Sequence, residues 1–130
     1  SKQREQVVAR VLALLESAAA ALAKQDFGIA AAACHEVLNL NREDPWALNM
    51  LALIERAQGR PAAARSLQER AVNARPDDAN LVYNLALVCR DMNDLRAARE
   101  YCRRALAMTP ESERIRALGA ALGLAPPASH

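Results

Sequence analysis

The chain has 130 residues, 52% of them hydrophobic but only 3% aromatic, with 25% charged residues and a formal net charge of +2. That length allows one sizeable core and little more. The scarce aromatics and about 30 alanines disfavour a β-sandwich or barrel, whose strands want β-branched and aromatic side chains; the apolar content argues against disorder, and so small a net charge marks no nucleic-acid partner unless it clusters.

Taken in chain order, helical apolar spacing predicts seven helices, near residues 6–24, 28–41, 45–58, 61–74, 78–91, 95–108 and 110–123. The first follows a polar start, Ser-Lys-Gln-Arg-Glu-Gln, that has neither an initiator Met nor a compact apolar signal region, and the chain reads as a trimmed segment. Its longest apolar run, Ala18 to Ala23, meets Lys24, so no membrane span is expected. Start signals mark the later helices: Asp44 before Pro45, then Pro61, Asp94 and finally Thr109-Pro110-Glu111. Breakers separate paired helices at Gln25-Asp26-Phe27, Gly59-Arg60-Pro61 and Asn93-Asp94-Leu95. Gly119, Gly123 and Pro126-Pro127 are expected to end the last helix.

Shifting the chain by about 34 residues aligns it three times. Ala18, Ala52 and Ala86 coincide, as do Ala30, Ala64 and Ala98, then Val37, Ala71 and Ala105. Larger apolar residues follow in the sets Leu14, Leu48, Val82 and Leu38, Val72, Leu106. Each unit is therefore a helix hairpin, over about 11–44, 45–78 and 79–112, and hairpins of this kind bury by stacking the faces that none can bury alone.

The unit Tyr83-Asn84-Leu85-Ala86, Asn93-Asp94-Leu95, Ala97-Ala98, Tyr101-Cys102, Ala105-Leu106 and Pro110 resembles a tetratricopeptide repeat, and the likeness runs over about residues 11–110. Two departures stand out: Gln68 takes the place of a bulky apolar residue, and Ser17 stands where Leu51 and Leu85 stand later. The resemblance implies an all-α, right-handed α-solenoid of three hairpins forming one domain over 1–125, with a capping helix at 110–124 and a tail or linker start at 126–130. It also implies that the first helix of each hairpin lines a concave groove. Carried over by repeat position, the groove comprises Leu12, Leu15, Glu16 and Ala19; Trp46, Asn49, Met50, Leu53 and Arg56; and Asn80, Tyr83, Asn84, Leu87, Arg90 and Asp91.

Those residue types suit a peptide or helical segment, because asparagine amides both donate to and accept from a backbone while Trp, Tyr and Arg anchor interfaces. Arg56 and Arg90, one period apart, are expected to favour a ligand with carboxylates. Members of the family that hold chaperone tails clamp a C-terminal carboxylate with two lysines, two asparagines and an arginine. Here Asn84 matches one asparagine and Arg114 stands for a lysine, but Asn49, Leu53 and Leu118 fill the remaining places, so that clamp is incomplete and chaperone-tail binding is not expected. Arg96, Arg99 and Arg103, with Arg104 beside them, form a basic stripe that is read as solvated: Glu100 dilutes it and no aromatic interleaves with it for base stacking.

Chemistry-bearing motifs are missing. No Gly-rich phosphate loop occurs, and neighbours in a helix point about 100° apart, so Cys34, His35 and Glu36 cannot converge on a metal. Cys34, Cys89 and Cys102 are an odd number without Cys-x-x-Cys spacing, which predicts free thiols in the core, acting as small hydrophobes. Neither catalysis nor a cofactor is expected. The sequence favours a cytoplasmic protein-interaction scaffold, with an acidic protein or peptide partner and no nucleic acid or membrane insertion. Two other roles remain open: accessory domain of a larger sulfotransferase, glycosyltransferase, hydroxylase-like oxygenase or secretion apparatus, and self-assembly into a homo-oligomer through solenoid ends.

Overall fold

Helix starts are set by short polar side chains that accept from otherwise orphaned backbone N–H groups. Asp44 accepts from Trp46 N at 3.1 Å and Ala47 N at 3.0 Å, and Asp78 accepts from Asn80 N at 3.0 Å and Leu81 N at 3.2 Å. Asp94 accepts from Ala97 N at 3.2 Å. The computed structural model describes residues 1–125, so the Pro126-Pro127 linker start, the 126–130 tail and His130 lie outside the described residues. Within them the helices are α1 (Lys2–Ala23), α2 (Phe27–Leu40), α3 (Pro45–Ala57), α4 (Pro61–Ala74), α5 (Ala79–Asp91), α6 (Leu95–Met108) and α7 (Glu113–Ala121). No strand occurs among the described residues, and the fold is all-α.

The helices gather into two compact units, Ser1–Ala74 with α1 to α4 and a second from Arg75 onward with α5 to α7. In the first unit Leu14, Ala18 and Ala21 of α1 meet Ala30, Ala33, Cys34 and Val37 of α2, and Ala47, Met50, Leu51 and Ile54 of α3 complete the core. In the second, α5 contributes Leu81, Val82, Leu85, Ala86, Val88 and Cys89, α6 contributes Ala98, Cys102, Ala105 and Leu106, and α7 contributes Ile115 and Leu118. Every residue in the sets that the repeat period brings into register is buried except Leu38, which is half-buried. The alanines are therefore where helices of a hairpin lie closest, and their small size is what permits that approach.

The hairpin turns repeat with the same period. Gln25, Gly59 and Asn93 take left-handed backbone angles, with φ of 62°, 78° and 58°. The next residue in each case returns its N–H to the preceding helix: Asp26 to Ala21 O, Arg60 to Glu55 O and Asp94 to Cys89 O, all at 2.9 Å. These are Schellman closures, the usual way for a helix to satisfy its last carbonyls before reversing.

Three expectations are corrected. The last helix starts at Glu113, not at Pro110: Thr109 Oγ1 donates to Ala105 O at 3.2 Å and Ser112 N to Thr109 O at 3.1 Å, so residues 109–112 form a turn. Ser112 is the N-cap, accepting from Ile115 N at 3.4 Å. Asp44, Asp78 and Ser112 thus cap at intervals of one period, and α7 keeps the register of a hairpin's first helix. Gly119 does not end that helix: a Cβ there would lie 3.3 Å from Leu106 Cδ1 and 3.7 Å from Cys102 Sγ, so it allows α7 to sit close on α6, and Gly123, at φ 78°, makes the stop. The third correction concerns α1, which begins at Lys2 on a Ser1 cap and is long and apolar enough to cross a membrane by length and composition. Counting uninterrupted apolar residues missed this, because isolated charges such as Arg10 and Glu16 break the run without making the helix polar. In the structure α1 packs its Leu14, Ala18 and Ala21 into the first core.

Candidate functional site

The second unit holds the most developed arrangement of side chains from the expected groove. The Asp78 cap fixes the first turn of α5, and from that helix Asn80 and Arg90 are exposed while Tyr83, Asn84 and Leu87 are half-buried. Arg114, from the first turn of α7, lies across this surface. Its guanidinium carbon is 4.6 Å from the centre of the Tyr83 ring, and Nη2 donates to Asn80 Oδ1. The ring's negative face and the amide oxygen hold a cation that remains exposed to solvent. A guanidinium has five N–H donors; one goes to Asn80, which leaves others to bind a planar anion side-on. Arg90 lies 3.6 Å from Asp91, an exposed pairing of little energy.

In the first unit the expected groove residues are placed less uniformly. Trp46 is 37% exposed at the start of α3, and Leu53 and Arg56 are half-buried along the same helix. Met50 belongs to the core, with little surface left for a partner. Asn49 Oδ1 accepts from Gln68 Nε2 at 2.9 Å, so at the Gln68 departure α3 supplies a partner for the nitrogen of a fully buried amide. On α1, Leu12, Glu16 and Ala19 are exposed and Leu15 is half-buried. Among the positions compared with the chaperone-tail clamp, Asn49 is held by α4 and Leu118 is buried.

Sequence reasoning left Arg114 out of the groove because it lies beyond the third unit. A signal was present: Asn80 and Arg114 are one period apart. In the basic stripe Arg96, Arg103 and Arg104 are exposed and Arg99 is half-buried. Arg99 Nε donates to Leu122 O at 2.9 Å, Arg103 lies 3.7 Å from Glu100, and Arg104 stacks 5.4 Å from the Tyr101 ring centre.

No group of three or more His, Cys, Asp and Glu side chains placed to hold a metal occurs among the described residues. All three cysteines are free and buried. Burial, and then the Asp44 carboxylate, pushes the Cys34 thiol up to about 11, and burial raises Cys102 as well. Both shifts hold the thiols neutral, and for Cys34 the associated stabilisation is complete below pH 9.0 and lost as pH climbs toward about 11. At pH 8 Cys34 therefore carries about 100-fold less thiolate than an ordinary cysteine. Alkylation followed by mass spectrometry is expected to show native protein reacting at least that much more slowly than urea-unfolded protein; equal rates would contradict the buried placement.

Hairpins recurring at one fixed period, with capped first helices that carry an exposed aromatic, amide and guanidinium surface, define a helical-repeat protein. Residues 44–111 match the model of the tetratricopeptide repeat family, more than half of the chain, and the chain belongs to that family. No curated protein matches it. Among solved structures it is similar to a mutant O-GlcNAc transferase of Thermobaculum terrenum, with 29% identity and a TM-score of 0.84 over 89% of this chain. The chain spans 22% of that transferase. At lower identity it shares its fold with the first tetratricopeptide domain of Spaghetti (RPAP3), bound to an HSP90 peptide (16% identity, TM-score 0.77, 88% of this chain and 94% of that one). The Sgt2 tetratricopeptide domain of Aspergillus fumigatus is likewise similar in fold (21%, 0.77, 92% and 87%).

Proposed function

We propose that the chain is a non-catalytic protein-interaction module that binds an extended peptide or helical segment of a partner on the α5 face of its second unit, and that an acidic side chain of the ligand is anchored at Arg114. The observation that carries this reading is the exposed guanidinium laid on Tyr83 and tethered by Asn80. A cation held this way loses less freedom on binding than a free arginine would. Asn84 and Leu87 flank the position on α5 with amide and apolar contacts. The free, buried cysteines fit a reducing compartment such as the cytoplasm.

The test is fluorescence anisotropy with two labelled peptide pools, identical except that one has Glu and the other Gln at its fixed central positions. The acidic pool is expected to bind about 10- to 100-fold more tightly, as a charge-assisted hydrogen bond would give, and to weaken as salt is raised. Equal binding of the two pools would refute the anchor.

A second reading draws on the likeness to part of the O-GlcNAc transferase: the same surface serving as the substrate-recognition part of a larger glycosyltransferase. The reading frame around this segment decides it, since a neighbouring transferase domain supports it and any other context removes it.

A further inference from the structure

α1 is 22 residues long against 13 for α3 and α5, and the repeat period aligns Pro45 with Val11, so residues 2–10 extend beyond the repeat. That extension projects about 13 Å at the helical rise, and all of it is exposed. From it a ridge at four-residue spacing runs on into the first repeat: Arg4, Val8, Leu12 and Glu16. Val8 and Leu12 are 53% and 57% exposed, so the middle of the ridge is apolar and open to solvent. Arg4 and Glu16 make no ion pair among the described residues, whereas Arg10, midway between them but turned toward α2, is paired with Glu36 at 2.9 Å.

The order of this ridge, cation, apolar, apolar, anion, is self-complementary when reversed. Laid antiparallel against a second copy of itself, with the i±4 ridges side by side and the helices crossing at about −50°, it sets Val8 against Leu12 and Arg4 against Glu16 at both ends. We propose that this face of α1 is a homodimer contact, occupied by the α1 of a second copy. A membrane surface fits the ridge less well, because interfacial helices carry lysine and arginine along the polar face, whereas the charges of α1 are mixed in sign, Lys2, Arg4 and Arg10 standing among Glu5 and Glu16. One helix pair buries less than a standard interface of about 1,600 Å², so the dimer is expected to form only at high protein concentration. The contact uses α1 alone, and its failure would leave the anchor on α5 and α7 untouched.

Sedimentation equilibrium over about a hundredfold range of concentration tests this. The weight-average mass of the whole chain is expected to rise from 14.1 kDa toward twice that value. Arg4→Glu is expected to weaken association at least tenfold while leaving helicity intact, since an acidic residue in the first turn suits the helix dipole. Glu16→Arg should do the same, and the double exchange Arg4→Glu with Glu16→Arg should restore the wild-type mass profile. A wild-type protein that stays monomeric throughout, or a double exchange that associates no better than the single ones, overturns the proposal. So does a monomer that cosediments with phosphatidylserine vesicles through Val8 and Leu12, which would assign the ridge to a lipid surface.

Discussion

Ala64→Leu and Ala98→Leu are each expected to destabilise the protein by about 1–3 kcal/mol in urea unfolding, whereas Ala63→Leu and Ala107→Leu, with the same change in composition, stay within about 0.5 kcal/mol of wild type. Ala64 and Ala98 have no exposed surface, on the second helices of their hairpins where these meet the first. A leucine there adds three heavy atoms to a space already filled, and either the helices separate or the side chain leaves its preferred rotamers. Ala63 and Ala107 are exposed, and a longer side chain extends into water. Equal effects at all four sites would mean that the alanines reflect composition alone.

Leu85→Ala is expected to cost more, about 2–5 kcal/mol, because deletion in a rigid surround leaves a cavity as well as losing transfer energy. Leu85 is 1% exposed in α5, and the second unit has only three helices to supply a core. Against a total stability of about 5–15 kcal/mol, that is a large share. The same helix carries Asn80, Tyr83 and Asn84, so peptide affinity is expected to fall along with stability although no contact residue is altered. A midpoint that moves by the equivalent of less than about 1 kcal/mol would show that α5 is not packed as described.

How far the sequence discloses this molecule depends on whether a feature is periodic. The buried alanines, the left-handed turns at Gln25, Gly59 and Asn93, and the caps at Asp44 and Asp78 all recur once per repeat, because stacked hairpins impose one packing requirement repeatedly. Period also marked Ser112 as a cap and Arg114 as the counterpart of Asn80. Those two were obscured by a stronger local cue, the Thr109-Pro110 pair, which resembles a helix start but is a turn closed by Ser112 N on Thr109 O. Gly119 shows the opposite failure: glycine reads as a breaker along the chain, while here its missing side chain admits Leu106 and Cys102. The Gln68–Asn49 bond had no sequence signature at all, since it depends on which side chains two packed helices bring within hydrogen-bond reach. Nor could residue types alone separate Met50, which faces the core, from Leu53, which keeps some surface on the same helix.

The most direct measurement of where a ligand sits is a titration of nitrogen-15-labelled protein with the acidic peptide pool, followed by amide chemical shifts. Shifts are expected to concentrate at Asn80, Tyr83, Asn84 and Leu87 of α5 and at Arg114 of α7, and to disappear at the same peptide concentration in Arg114→Ala. Shifts confined to the outer arginines of α6, Arg96 and Arg103, or the same shifts in wild type and Arg114→Ala, would contradict a peptide site anchored on the first-helix face.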